Sequence, residues 1–317
     1  MVCDAAGVPA TALRELIVTF WNTATALRRY GASAAALATA AGMVFAAALP
    51  AAAINSYNAT PAPERTEVGA LIAQWDDDAD PETPDRVDWV CSGTMVDRDT
   101  FVTAGHCTTD WPAGVQFFVS LDQDVQSALD SAARAHPGNP SAVATAVGIE
   151  GTAHTDPAYP GPSSDPHDIA VIQVPAVSMA ARWSFTPATL PGAGELSALG
   201  SRRLHSTAFV VAGYGTEEAA RGPGGQSHPG GGVRMKAPVT FDALNPSWVR
   251  LAMTEPQGNG GACYGDSGGP NFAVLGGRLV LAATTITGDS PCYATNVAYR
   301  LDSPAARAFL ASFATLP

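Results

Sequence analysis

Gly265-Asp266-Ser267-Gly268-Gly269-Pro270 reads GDSGGP, and Cys263-Tyr264 stands directly before it. A serine hydroxyl is a weak nucleophile until a base takes its proton. Glycine lets the chain turn tightly, so that backbone N–H groups crowd an incoming carbonyl oxygen. On that reading the N–H groups of Gly265 and Ser267 form the hole for a developing oxyanion. By itself the hexapeptide also fits a polar turn between strands. Two upstream stretches argue against the turn. Thr103-Ala104-Gly105-His106-Cys107 supplies a base, and Asp168-Ile169-Ala170-Val171-Ile172 supplies an acid at the start of an apolar strand. The chain order is His, Asp, Ser, one of several orders in which such triads occur.

With these three motifs the chain resembles the trypsin/chymotrypsin-like serine endopeptidases, in a bacterial secreted form, from about Val68 to Phe313. The resemblance implies an all-β fold of two six-stranded antiparallel β-barrels with a C-terminal helix. Residues 68–190 would form the first barrel and 191–317 the second. The site would lie between them, with His106 and Asp168 from the first and Ser267 from the second. Ser267 would attack a peptide carbonyl. His106 would move the proton, and Asp168 would hold the imidazole tautomer and offset its charge. No metal or organic cofactor is implied, and the expected partner is a protein or peptide substrate met by a monomer.

The family pattern is not complete. Trypsins carry an Asp six residues before the nucleophile, where this chain has Gly261. Gly261, Ala262 and Gly288 therefore predict an uncharged pocket, narrowed by Asn296. A serine that often supports the catalytic Asp is replaced by Ile286, which leaves Thr285 or Thr287 to supply a hydroxyl. Two rival readings remain. An inactive protease-fold binding protein usually lacks a triad residue, and here none is missing. An α/β-hydrolase places its His last in the chain, whereas His106 comes first.

The 317 residues include 46% hydrophobic and 15% charged ones, with 31 Gly and 25 Pro, which suits a loop-rich β protein. Lys236 is the one lysine, and the formal charge of −12 argues against nucleic acid and anionic membranes as partners. Residues 1–53 read as a targeting segment. Arg28-Arg29 precede an apolar Ala-rich run, and Ala51 and Ala53 fit the small-residue cleavage rule. A membrane-spanning helix is the competing reading of that run. Export predicts a secreted protein that leaves the membrane once the leader is cut. Cys3 falls in the leader, and the four remaining cysteines allow three pairings. The resemblance selects Cys91–Cys107 and Cys263–Cys292. A metal site is disfavoured, because no two of them have close ligand spacing.

Residues 54–67, with Pro61 and Pro63, read as a linker or short propeptide. The acidic run Asp76-Asp77-Asp78-Ala79-Asp80, continuing to Asp88, reads as a solvated hairpin loop rather than a calcium site. Strands are expected at Val68–Ile72, Trp89–Val96, Thr100–Ala104, Gln116–Leu121, Ala142–Gly151, Thr207–Gly215, Val233–Phe241, Ser247–Met253 and Leu279–Ile286. Residues 122–140 read as a polar surface excursion, 178–204 as a connector and 222–232 as a mobile loop. Ser303 caps and Pro304 opens a closing helix with Ala306, Phe309, Leu310 and Phe313 on one face. His167 reads as a supporting neighbour of Asp168. In family zymogens a freed amino terminus pairs with the Asp beside the nucleophile, here Asp266. Val68-Gly69 is similar to the family's mature start, yet Glu67 precedes it rather than Arg. The preferred reading has Asp266 paired internally and Ile54 as the mature start.

Overall fold

The computed structural model describes residues 54–78, 83 and 85–317. The leader expected over 1–53 lies outside them, as do 79–82 and 84 of the acidic run. The described chain opens with β1 (Thr60–Pro61), then β2 (Val68–Trp75), β3 (Arg86–Met95), β4 (Thr100–Thr103) and β5 (Gln116–Ser120). Helices α1 (Val125–Ala135) and α2 (Pro140–Val147) follow, then β6 (Ile149–Thr155) and β7 (Ala170–Gln173). The first barrel closes antiparallel in the order β2-β3-β4-β7-β6-β5.

Helices α3 (Ala176–Arg182) and α4 (Glu195–Leu204) lead to β8 (Phe209–Gly213) and the small hairpin β9 (Ala220–Gly222) and β10 (Gly225–Ser227). Then come β11 (Met235–Leu244), β12 (Trp248–Ala252), β13 (Pro270–Leu275), β14 (Arg278–Gly288), β15 (Thr295–Arg300) and α5 (Pro304–Leu310). The second barrel runs β11-β12-β15-β14-β13-β8 and closes through β8 on β11, with β1 added outside on β11. Two six-stranded antiparallel barrels and a C-terminal helix are thus present. Alternation builds these walls, because successive strand residues face opposite sides. On β11, Met235, Ala237, Val239 and Phe241 are buried, while Pro238, Thr240 and Asp242 are exposed.

One expected strand is a helix. Residues 142–147 belong to α2, and the strand begins only at Ile149. Asn139 Oδ1 accepts from Ala142 N at 3.0 Å and Pro140 takes the first turn, so the segment is capped as a helix. Val143, Ala144 and Val147 then share its buried face, a spacing that outweighs the β-branched composition. The excursion before it is also ordered. Asp124 caps α1 through Ser127 N, and Val125, Leu129 and Ala132 pack inward. At the end of the chain Ser303 Oγ caps α5 at Ala306 N, and Ala306 and Leu310 are buried.

The barrels meet around a buried cation. Arg234 donates to the carbonyls of Ala62, Val68 and Leu121 and to the Tyr214 hydroxyl, at 2.9–3.1 Å. Tyr214 is fully buried and donates to Asp122 O at 2.7 Å. Ala188 N still bonds Met95 O in the first barrel, while Thr189 O accepts from Leu281 N in the second.

Candidate active site

His106 sits in a single 3-10 turn, Gly105–Cys107, directly after β4. The Cys91–Cys107 disulfide ties that turn back to β3. Asp168, two residues ahead of β7, is buried at 7% exposure. Its Oδ2 lies 2.9 Å from His106 Nδ1, and its Oδ1 accepts from the His106 backbone N–H at 2.9 Å. One carboxylate thus orients both the ring and the turn that carries it. With Nδ1–H donating to the carboxylate, Nε2 carries the free lone pair. Gly105 permits the approach: a Cβ there would lie 3.2 Å from Asp168 Oδ1 and 3.1 Å from Ile169 N.

The Ser267 loop is built on two left-handed glycines, Gly265 at φ +90° and Gly268 at φ +76°. A Cβ on Gly268 would overlap Thr103 Oγ1 and approach Ala104 N at 2.6 Å. The loop therefore presses on the strand end that leads into His106. Ser267 is half-buried. Among the described residues no hydrogen bond joins its Oγ to His106, and such bonds commonly tighten only when substrate is bound. Asp266 is fully buried, and its two oxygens accept from Gly215 N and Cys263 N, each at 2.8 Å. Loss of water pushes its carboxyl up to about 7, against the pull of those two N–H groups.

Val68 is far from being a free end. It pairs with Thr94 inside the first barrel, and its N–H donates to Arg65 O at 3.0 Å. The segment beginning at Ile54 reaches the Asp266 region instead. Ile54 is fully buried and donates to Gly215 O at 3.2 Å, and Asn55 N donates to Gly261 O at 3.1 Å. Asn55 Nδ2 also bonds Cys292 O. Residues 54–61 are thereby bound along the second barrel.

Around the expected pocket, Gly261 and Ala262 are buried, and a Cβ on Gly261 would overlap Met253 Sδ. A Cβ on Gly288 would lie 2.6 Å from Thr295 O. Asn296 pairs across from Gly288 and is fully buried, with Nδ2 on Asn271 Oδ1 at 2.8 Å. Asn271 in turn donates to Thr285 Oγ1 at 2.9 Å. The Thr285 hydroxyl is therefore used inside the barrel, and among the described residues neither Thr285 nor Thr287 bonds Asp168. A bulge between Thr285 and Thr287 breaks the register at this point, and Ile286 packs against the core.

His167 supports the Asp168 segment as a bracketed residue. It adopts φ +52°, with Nδ1 3.0 Å from Asp156 Oδ2, while Asp165 accepts from Tyr299 OH at 2.8 Å. Two neighbours of the site escaped the sequence reading. Tyr159 lies over Gly105, and burial first, then the Asp168 charge, raises its phenol above the ordinary value. Ser92 touches the nucleophile loop from β3. Neither stands in a motif whose chemistry demands it.

Both expected disulfides are formed, Cys91–Cys107 and Cys263–Cys292, with Cα separations of 6.2 and 5.3 Å. The two His/Cys clusters, one at His106 and one at His228, draw their sulfurs from these bridges, so neither offers a thiolate to a metal. Among the described residues no helix is long and apolar enough to cross a membrane. No curated protein matches the sequence. The family model described as Trypsin matches residues 82–302, from the acidic hairpin to the residue before the cap of α5. That span holds both barrels' site-bearing loops and more than half of the chain, and the protein belongs to the trypsin family.

Proposed function

We propose that the protein is a secreted serine endopeptidase that cleaves protein or peptide substrates through an acyl-enzyme. The observation that carries this reading is the His106–Asp168 pair, at 2.9 Å, with the GDSGGP loop pressed onto the strand end beside it. Ser267 Oγ attacks the scissile carbonyl as His106 Nε2 takes its proton. Asp168 stays ionised and stabilises the imidazolium. The N–H groups of Gly265 and Ser267 receive the oxyanion in a site arranged before substrate arrives. His106 then protonates the leaving amine, and water repeats the sequence to release the acid. Two disulfides fit an oxidising compartment outside the cell.

The test is covalent labelling joined to kinetics. A fluorophosphonate is expected to label Ser267, and Ser267→Ala to lose ~10⁴-fold or more in rate. Labelling at a different serine, or hydrolysis retained by the variant, would rule the assignment out.

A further inference from the structure

The two proposed oxyanion donors sit in a loop with little secondary structure to hold it. Gly265 and Gly268 bring the conformational freedom of glycine at positive φ, and the loop is outside the barrel strands. An oxyanion hole works only if its N–H groups are fixed before the charge appears.

Each donor residue carries its own carbonyl, and both carbonyls are held by one residue of the other barrel. Ser92 Oγ donates to Gly265 O at 2.9 Å, and Ser92 N donates to Ser267 O at 2.9 Å. Among the described residues no other hydrogen bond reaches either oxygen. The Ser92 hydroxyl proton has a set direction, because Oγ accepts from Tyr214 N at 2.9 Å. Its carbonyl accepts from Thr103 Oγ1 at 2.8 Å, three residues before His106. Ser92 is fully buried on β3, next to the Cys91 disulfide. A buried hydroxyl is costly unless bonded, and this one is bonded on both sides.

We propose that Ser92 is the positioning residue of the oxyanion hole, fixing Gly265 and Ser267 through their own carbonyls; this rests on the reading of those two residues as the donors. Each donor N–H lies in the peptide plane before its residue, held at Tyr264 O by Thr216 N and at Asp266 O by Gly269 N, while Ser92 holds the plane after each residue. Deleting the hydroxyl removes one hold on the far side of Gly265, a glycine at positive φ, and so loosens the aim of its N–H. The defect belongs to the transition state, where the oxyanion exists, and not to ground-state binding.

The experiment compares wild type with Ser92→Ala on a peptide amide substrate, with rates counted per Ser267 labelled by a fluorophosphonate. Counting labelled sites removes any difference in folded fraction. A fall in kcat of ~10- to 100-fold with KM within about twofold is expected, less than the loss of a donor outright. A peptide aldehyde, whose adduct carries the oxyanion, should weaken in parallel. Unchanged kcat, or a rise in KM alone, overturns the proposal. Should Ser92→Ala not fold, Ser92→Cys keeps the size and a weak donor. A smaller kcat loss there supports the proposal, and wild-type kcat overturns it. A wild type that neither labels nor hydrolyses the substrate overturns the peptidase reading, and this proposal falls with it.

Discussion

At the scale of single residues, Asp266 has the clearest consequence. Burial lifts its carboxyl to about 7, well above an unfolded Asp. Between about pH 4 and 7 the folded state then holds this proton more tightly than the unfolded state, so its contribution to stability falls as pH rises. Cleavage after Ala53 would change that. It would place an ammonium at Ile54, whose N already bonds Gly215 O, while Gly215 N bonds Asp266. A chain that keeps residue 53 is expected to lose stability across that window, and one that starts at Ile54 is expected not to. Urea midpoints against pH for both forms, with Asp266→Asn as reference, check this; equal slopes would refute it. Specificity is also a residue matter. With Gly261 proposed at the pocket base, where it brings no charge, cleavage after apolar or small side chains is expected from a peptide library. Gly261→Asp is not expected to create arginine specificity by itself, because its Cβ overlaps Met253. A strong Arg preference in the wild type would defeat the pocket argument.

Among the elements, α2 separates composition from pattern. Val143 and Val147 favour strands by type, yet the Asn139 cap and Pro140 start a helix. Asn139→Ala is expected to cost ~1 kcal/mol of stability. Turnover per labelled Ser267 should stay unchanged, since the Asn139 side chain bonds Ala142 N and none of His106, Asp168 and Ser267. A thermal midpoint equal to wild type would show that the cap contributes nothing. The closing helix was legible because Ser303-Pro304 carries its start signal and its apolar face repeats at helical spacing. The strand expected at Val233–Phe241 is present as β11, Met235–Leu244, with its ends shifted by two or three residues and alternate residues buried. Connector 178–204 hid α3 and α4, since short helices with few buried residues leave weak periodicity.

For the whole molecule, the site depends on two barrels holding one relative position. Arg234 bridges β1-side and first-barrel backbone, at the carbonyls of Ala62, Val68 and Leu121, and the Tyr214 hydroxyl of the second barrel at once. Arg234→Met leaves three buried carbonyls with fewer donors, and a loss on the order of 3 kcal/mol is expected in chemical denaturation. A loss under about 0.5 kcal/mol would show that the bridge is dispensable.

The sequence by itself displayed the trypsin-family motifs around His106, Asp168 and Ser267 and the two-barrel plan. These are properties of residue type, order and short-range spacing, which a linear chain displays directly. Only the tertiary structure decided that Ile54 bonds Gly215, whose N–H bonds Asp266, while Val68 is paired inside the first barrel, that Thr285 is occupied by Asn271, and that Ser92 bonds the GDSGGP loop. The Ile54 and Ser92 bonds join residues far apart in the chain, and the Asn271 bond crosses paired strands β13 and β14 inside the second barrel; no local pattern encodes which backbone carbonyl or hydroxyl will face which strand.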